Sequence, residues 1–369
     1  MTERLKIGVI GGGGIAGAHA RAYHKMDDVQ VVAVADIVPG KAQEFIEKHG
    51  LSDARAFTDH RELLQTDLDA VSICVPNVGH HRTTVDALAA GKHVLLEKPL
   101  SVTLGEGVDM ARAARRADRI LSIGFQPRYD PNMKLIREMV QSGLLGKVYY
   151  VLTGGGRRRG MPGGTFIRKD LAGVGAMADI GCYSLDMALL AIGYPKPLTV
   201  SAYTSNYFGA NPLYHPEADR FEVEDFGAAF IRLEGGIVLN FQISWAMHMD
   251  SLGPSVFLGT EAGLRVTPGG TGPWGGAWDG GVGSITLCHD VMKRNTDSPI
   301  PLIRHNVDIF YEKVRDFVVA VREGLPAPIP VDQILYNQAI LDGVFRSAKA
   351  GREVVLDIPD LRDMESFPR

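Results

Sequence analysis

Between Lys6 and Ile10 a short apolar strand runs directly into four consecutive glycines, Gly11 to Gly14. The chain then has helical character from Ile15 to Met26, and a β-branched run from Val29 to Ala35 ends at Asp36. Strand, glycine turn, helix and strand in this order read as one βαβ unit. The pattern repeats: helix near Pro39 to Lys48, strand Ala70 to Val75, helix His81 to Ala90, strand His93 to Glu97, helix Leu104 to Ala117, strand Ile120 to Phe125. Apolar strands alternating with helices predict a parallel sheet covered on both faces. The fold expected for the first hundred or so residues is therefore a doubly wound α/β domain, with its ligand crevice at the carboxyl ends of the strands.

Chemistry follows from what stands at those ends. Gly11, Gly13 and Ala16 match G-x-G-x-x-A, with Gly14 and Ile15 completing the turn into the helix. Such a turn brings backbone N–H groups and a helix N-terminus up to a pyrophosphate. Asp36, closing the second strand, is placed to accept hydrogen bonds from an adenosine ribose and to repel a 2′-phosphate. This favours NAD over NADP, although Lys41 softens the preference and leaves NADP possible. Pro76 and Asn77 follow the next strand and face the same crevice, with Asn77 a candidate for the nicotinamide ribose. His80 and His81 are adjacent on a helix, point in different directions and make a poor metal pair, so no metal site is assigned. Glu97, Lys98 and Pro99 close the strand HVLLE, where a lysine ammonium beside a nicotinamide can serve a substrate oxygen.

Composition narrows the partners. With 369 residues the chain has room for about two domains, and 39 basic against 43 acidic residues leave a net charge of −4. No electrostatic footprint for nucleic acid is visible. Cys74, Cys182 and Cys288 are widely spaced and form no CxxC cluster, which suits a reducing cytoplasm. The N-terminus lacks a signal-peptide core, and no apolar run is long enough to cross a bilayer.

At the segments GVIGGGGIAGAHARAY (8–23), AGKHVLLEKPLS (90–101), GVGAMADIGCYSLDMALLAIG (173–193) and GTEAGLRV (259–266) the chain resembles the glucose-fructose oxidoreductase, inositol dehydrogenase and rhizopine-catabolism family, Gfo/Idh/MocA. The resemblance runs on through residues 310–356 and so spans essentially the whole chain. It implies a Rossmann domain over 1–126 and, over 127–369, an α/β domain with a large, mostly antiparallel open-faced sheet that binds substrate and carries subunit contacts. It further implies NAD(P)-dependent hydride transfer to or from a sugar or cyclitol, in a cytoplasmic homodimer or homotetramer. By the same resemblance the lysine touching the reacting oxygen is Lys98, and the helix aspartate is Asp179. Where the commonest family pattern has histidine this chain has Tyr183, a departure found in some members that alters the proton chemistry. Glu97, His80 and Gln126 join the glycine loop as cofactor contacts, and Arg128 joins Lys98, Asp179 and Tyr183 as a substrate contact.

Asp179, Tyr183 and Asp186 stand at i, i+4 and i+7, which predicts one helix face turned to a common cleft, with Leu185, Leu189 and Ile192 as the apolar stripe. Asp179 as an N-cap and Tyr183 at the core edge is the plainer structural alternative. An unaided phenol with a pKa near 10 is a poor base at neutral pH, but a neighbouring ammonium favours the phenolate. The expectation is a Lys98/Tyr183 proton relay, with Asp179 holding the substrate hydroxyl or orienting the relay. The segment GIVLNFQISWA alternates as an antiparallel strand with one face in the core. Arg157 to Arg159 read as a solvated charge run, with reach to an acidic substrate as the alternative. Gln126, Arg128 and Tyr129 lie at the hand-over between domains, and Trp274 and Trp278 in a glycine-rich loop suit a sugar face or simply anchor the loop. Two other functions fit the same residues: cleavage of a glycoside through transient oxidation by a retained NAD, and a non-catalytic dinucleotide-binding regulator.

Overall fold

A computed structural model of the chain describes residues 4–269 and 281–359. Trp274 and Trp278 lie outside the described residues. The described residues divide into two compact units, one formed by 4–126 with Val307–Leu335, the other by 127–269 and 281–306 with Tyr336–Ile358.

In the first unit, strands β1 (Leu5–Ile10), β2 (Val29–Ala35), β3 (Arg55–Phe57), β4 (Ala70–Ile73), β5 (His93–Glu97) and β6 (Leu121–Gly124) form a six-stranded sheet in the order β3-β2-β1-β4-β5-β6. All its pairings are parallel. Helices α1 (Gly14–His24), α2 (Lys41–Lys48), α3 (His60–Leu64), α4 (His80–Ala89) and α5 (Leu104–Ala117) connect the strands. The order reverses direction between β1 and β4, and in open parallel sheets that switch point opens the crevice in which a ligand binds. The strands read as near-continuous apolar runs because both faces are covered: Ile7, Val9, Val71, Ile73, Val94, Leu95 and Leu96 are all fully buried. The edge strand β3 and the short α3 have no counterpart in the sequence reading, since three residues and five residues are too short for a periodicity to register.

The second unit contains α6 (Pro131–Gln141), α7 (Lys169–Ala172), α8 (Ala176–Asp179) and α9 (Gly181–Ala191). Its strands are β7 (Val148–Gly156), β8 (Pro197–Ser205), β9 (Phe226–Leu233), β10 (Ile237–Ser244), β11 (Ser255–Gly259), β12 (Ala262–Pro268), β13 (Val282–Val291), β14 (Arg294–Ile300) and β15 (Val354–Val355). They form a nine-stranded sheet, β14-β13-β12-β11-β7-β10-β9-β8-β15, antiparallel throughout except where β10 runs parallel to β7. The alternation read in β10 holds from 238 to 243: Leu239, Phe241 and Ile243 are buried, while Val238, Asn240 and Gln242 on the opposite face are only half-buried; Ser244, next on that face, is fully buried. α9 packs on β7 and β10, and Gly181 makes this possible, because a Cβ there would lie 2.8 Å from Ile243 and Phe241.

Residues 307–335, placed in the second domain by the sequence reading, belong instead with the first unit. The cause is the apolar face of α10 (Ile309–Glu323): Val314, Phe317 and Val318 are fully buried in one cluster with Ala16, Ala20 and Tyr23 of α1. The remaining helix, α11 (Val331–Ala350), precedes β15. Among the described residues no single helix is long and apolar enough to cross a membrane.

Candidate active site

The cofactor loop starts where β1 ends. Gly11 adopts φ +95°, a conformation open to glycine, and a Cβ on it would lie 2.4 Å from the carbonyl oxygen of Cys74 at the end of β4. The first glycine therefore lets β1 and β4 close up at the switch point. Gly12 N–H donates to Asp36 Oδ2 at 2.8 Å, and Val38 N–H donates to Oδ1 at 2.9 Å, so the carboxylate is oriented by the backbone on both sides. Lys41 Nζ stands 3.2 Å from Asp36 Oδ2 and offsets part of its charge. Gly13 and Gly14 are different, with no atom within 4 Å of where a Cβ would sit. The open side of the loop lies there. Gly13 is the N-cap of α1 and supplies no side-chain cap, which leaves the first N–H groups of an eleven-residue helix to an anion. Ile15 is half-buried, and Ala16 is fully buried beneath the loop. This cradle fits an anionic group such as a dinucleotide pyrophosphate.

The other residues singled out in the first unit lie at the ends of neighbouring strands. Pro76 is exposed and Asn77 half-buried just after β4, and Lys98 is half-buried directly after β5. Gln126 is buried just after β6. Glu97 and His80, expected as cofactor contacts, are instead turned inward onto protein partners. The His80 ring is 1% exposed, with Nδ1 2.8 Å from Pro99 O and Nε2 3.0 Å from Val75 O, and burial lowers its pKa. It ties the start of α4 to the chain following Lys98. The Glu97 carboxylate accepts from His19 Nε2 at 2.7 Å and pairs with Lys313 of α10. Burial alone would raise its pKa, but the Lys313 charge and the His19 hydrogen bond outweigh that and hold it below the usual carboxylate range.

In the second unit the helix expected to carry Asp179, Tyr183 and Asp186 on one face is broken. Asp179 ends α8, Ile180 caps α9, and the run 169–179 meets α9 at 44°. Residue spacing along one helix therefore does not relate Asp179 to Tyr183, nor is Asp179 the N-cap. α9 has no polar face either. Asp186 is fully buried, because Arg128 forks onto it, Nε to Oδ2 at 2.8 Å and Nη2 to Oδ1 at 2.7 Å, with the Tyr194 hydroxyl against both. Burial alone would lower the Arg128 pKa; the Asp186 charge outweighs it and keeps the guanidinium firmly protonated. Arg128, expected at substrate, thus has its charge answered by Asp186. Asp179 and Tyr183 are 9% and 6% exposed.

A residue absent from the sequence reading holds this turn. Glu224 accepts from Gly175 N–H through both oxygens, at 3.0 and 2.9 Å, and from Met177 N–H at 3.0 Å, and Ala176 N–H donates to its backbone carbonyl. Burial pushes the Glu224 carboxyl up to about 7. The arginine run is not uniformly solvated: Arg157 is buried and donates to Gly160 O, Arg158 pairs with Asp250 at 2.9 Å, and Arg159 lies over the rings of Phe208 and Tyr214.

A glycine cradle at the switch point of a parallel six-stranded sheet, an oriented carboxylate closing the second strand, and a second unit built on a large mixed sheet define the class of dinucleotide-binding oxidoreductases. Residues 5–125 match the model of an oxidoreductase family with an NAD-binding Rossmann fold, and residues 133–265 match the GFO/IDH/MocA C-terminal domain. The chain belongs to the Gfo/Idh/MocA family. It is 33% identical over 276 residues to D-glucoside 3-dehydrogenase of Escherichia coli K12, covering 72% of this chain and 78% of that protein. It is 34% identical over 190 residues to myo-inositol 2-dehydrogenase of Thermotoga maritima, covering 51% of this chain and 55% of that one. In fold it is similar to levoglucosan dehydrogenase solved with NADH and levoglucosan, with a TM-score of 0.80 and 22% identity over 96% of this chain and all of the other.

Proposed function

We propose that this chain oxidises a secondary hydroxyl of a sugar or cyclitol with NAD, or reduces the corresponding ketone. The observation that carries the reading is the cradle of Gly13 and Gly14 beside Asp36, with Lys98 at the end of β5 in the same unit. The kinship to a glucoside dehydrogenase and an inositol dehydrogenase supports the substrate class. A bound nicotinamide dinucleotide supplies the hydride acceptor or donor. Lys98 holds the substrate oxygen and takes or gives its proton, and in the second unit Tyr183 and Asp179 are the residues assigned to acid–base and hydroxyl-orienting roles. Asp36 sets a preference for NAD, moderated by Lys41. A homo-oligomer formed through the sheet face that carries Tyr203 and Phe230, 52% and 38% exposed, belongs to the same reading; light scattering tests it, and a monomer would remove it.

The test is absorbance of reduced nicotinamide on mixing the protein with NAD or NADP and methyl β-D-glucopyranoside, other glycosides, or inositols. Wild-type protein forms NADH, and Lys98→Met forms none while still binding NAD. Equal turnover by Lys98→Met excludes the assigned role. Glycoside cleavage without net NADH, or NAD binding with no turnover of any polyol, replaces the proposed reaction with the glycoside-cleaving or the regulatory function.

A further inference from the structure

Behind the end of β5, three elements of the first unit bring together ionisable groups that the proposed reaction does not touch. The side chains of Glu97, His19 and Lys313 are 4%, 0% and 1% exposed, and Lys313 reaches Glu97 from 216 positions further along the chain. His19 Nε2 lies 2.7 Å from Glu97 Oε1 and 3.3 Å from Lys313 Nζ, and burial, then the Lys313 charge, lower the His19 pKa. On the other side of the ring Nδ1 lies 3.0 Å from Ser72 Oγ, which in turn lies 2.7 Å from the Tyr23 hydroxyl. Burial keeps Tyr23 protonated.

A buried ion pair is a poor device for stability alone, since apolar side chains of similar volume commonly do as well or better. Its placement suggests another use. Glu97 directly precedes Lys98, and the carbonyl of Pro99, directly after it, lies against the His80 ring at 2.8 Å. The backbone is thus tied on both sides of Lys98. Glu97 is the last residue of β5 and Lys98 the first beyond it, so holding Glu97 inward fixes the backbone from which the Lys98 side chain leaves.

Building on the reading of Lys98 as the residue that handles the substrate proton, we propose that Lys313 is a positioning residue. Together with His19 it anchors Glu97, and through Glu97 it sets the direction in which Lys98 presents its ammonium. Lys313 itself meets neither substrate nor cofactor.

The test starts with Lys98→Met. If that variant turns over methyl β-D-glucopyranoside or myo-inositol as the wild type does, the reading of Lys98 fails and this proposal fails with it. If turnover is lost, the double variant Lys313→Met/Glu97→Gln follows, which exchanges the ion pair for neutral groups of similar volume. It is expected to bind NAD within about twofold of wild type, to lower kcat by about 10- to 100-fold, and to leave KM nearly unchanged. Lys313→Arg, which keeps the charge, recovers part of the loss. A second readout needs no substrate: acetic anhydride modification of the NAD-bound protein, followed peptide by peptide. The rate at Lys98 changes by about threefold or more in the double variant, while Lys134 and Lys147 react as before. Should the double variant fail to fold, Glu97→Gln alone, which keeps the side chain's shape and removes the charge that pairs with Lys313, is measured against the same expectations. A folded variant with wild-type kcat and wild-type Lys98 reactivity overturns the proposal.

Discussion

Alanine at Gly11 and alanine at Gly13 separate the two jobs of the cofactor loop. At Gly11, φ is +95° and a Cβ would lie 2.4 Å from Cys74 O and 2.7 Å from Cys74 C, both backbone atoms that cannot swing aside. The left-handed conformation costs about 1–2 kcal/mol, and easing the overlap by shifting the ends of β1 and β4 costs about 1–3 more. At roughly 2–4 °C per kcal/mol for a unit of this size, Gly11→Ala lowers the melting temperature of the first unit by about 4–20 °C. Gly13 has φ −83° and ψ −174°, which alanine adopts freely, and nothing lies within 4 Å of the added methyl. The weaker N-cap and the reduced entropy of the unfolded chain nearly offset each other, so the stability of Gly13→Ala stays within about 1 kcal/mol of wild type. Its methyl instead occupies the space assigned to the pyrophosphate. Displacing that group weakens charge-assisted N–H contacts worth about 1.5–3 kcal/mol each, a loss of about 10- to 100-fold in NAD affinity for one such contact. Scanning calorimetry of both apo variants and calorimetric titration with NAD give the two readouts. If Gly13→Ala bound NAD as wild type does, or unfolded as early as Gly11→Ala, the assignment of the open side of the loop to the cofactor would be refuted.

Other perturbations address the remaining parts. Asp186→Asn leaves the Arg128 guanidinium, whose side chain is 9% exposed, without its counter-charge; a loss of about 3–5 kcal/mol in the second unit is expected by denaturant titration, and Arg128→Met/Asp186→Leu should recover most of it. The Glu224 carboxyl is raised from 4.5 to about 7, so the folded state holds its proton more tightly than the unfolded chain. The stability this contributes is complete below the unfolded value and disappears as pH rises through about 7. Melting temperatures taken between about pH 5 and 8 should therefore fall less steeply in Glu224→Gln than in wild type, and parallel curves would contradict the assignment. Asp36→Ser removes the carboxylate that would face a 2′-phosphate while Lys41 remains, so the ratio of NADP to NAD affinity should rise by about tenfold or more, measured by titration with each cofactor.

The parts legible in the amino-acid sequence are those whose chemistry is local in the chain. A strand, a glycine turn and a helix N-terminus are neighbours in sequence, so Gly11, Gly13, Ala16 and Asp36 can be read together, and Lys98 stands out because it closes a recognisable strand. The family segments extend that reading to Asp179 and Tyr183. Helical periodicity misleads at Ile180, because a break of one residue between α8 and α9 leaves no mark on an apolar pattern that is buried all round. Glu224, His19 and Lys313 carry no motif. A signal exists for two of them: His19 and Tyr23 are polar positions four apart on an alanine-rich helix, and Lys313 sits four residues before Phe317 on the apolar face of α10.

Periodicity and backbone sterics act over a few residues, and for that reason the parallel sheet, the glycine turn and the family are all written in the linear order of amino acids. Packing in three dimensions settles the rest: that α10 returns to the first unit, that Asp186 is spent on Arg128, and that Glu97 is held inward by Lys313. Those outcomes depend on which charges are desolvated together, and desolvation is a property of the packed core, which brings residues hundreds of positions apart into contact.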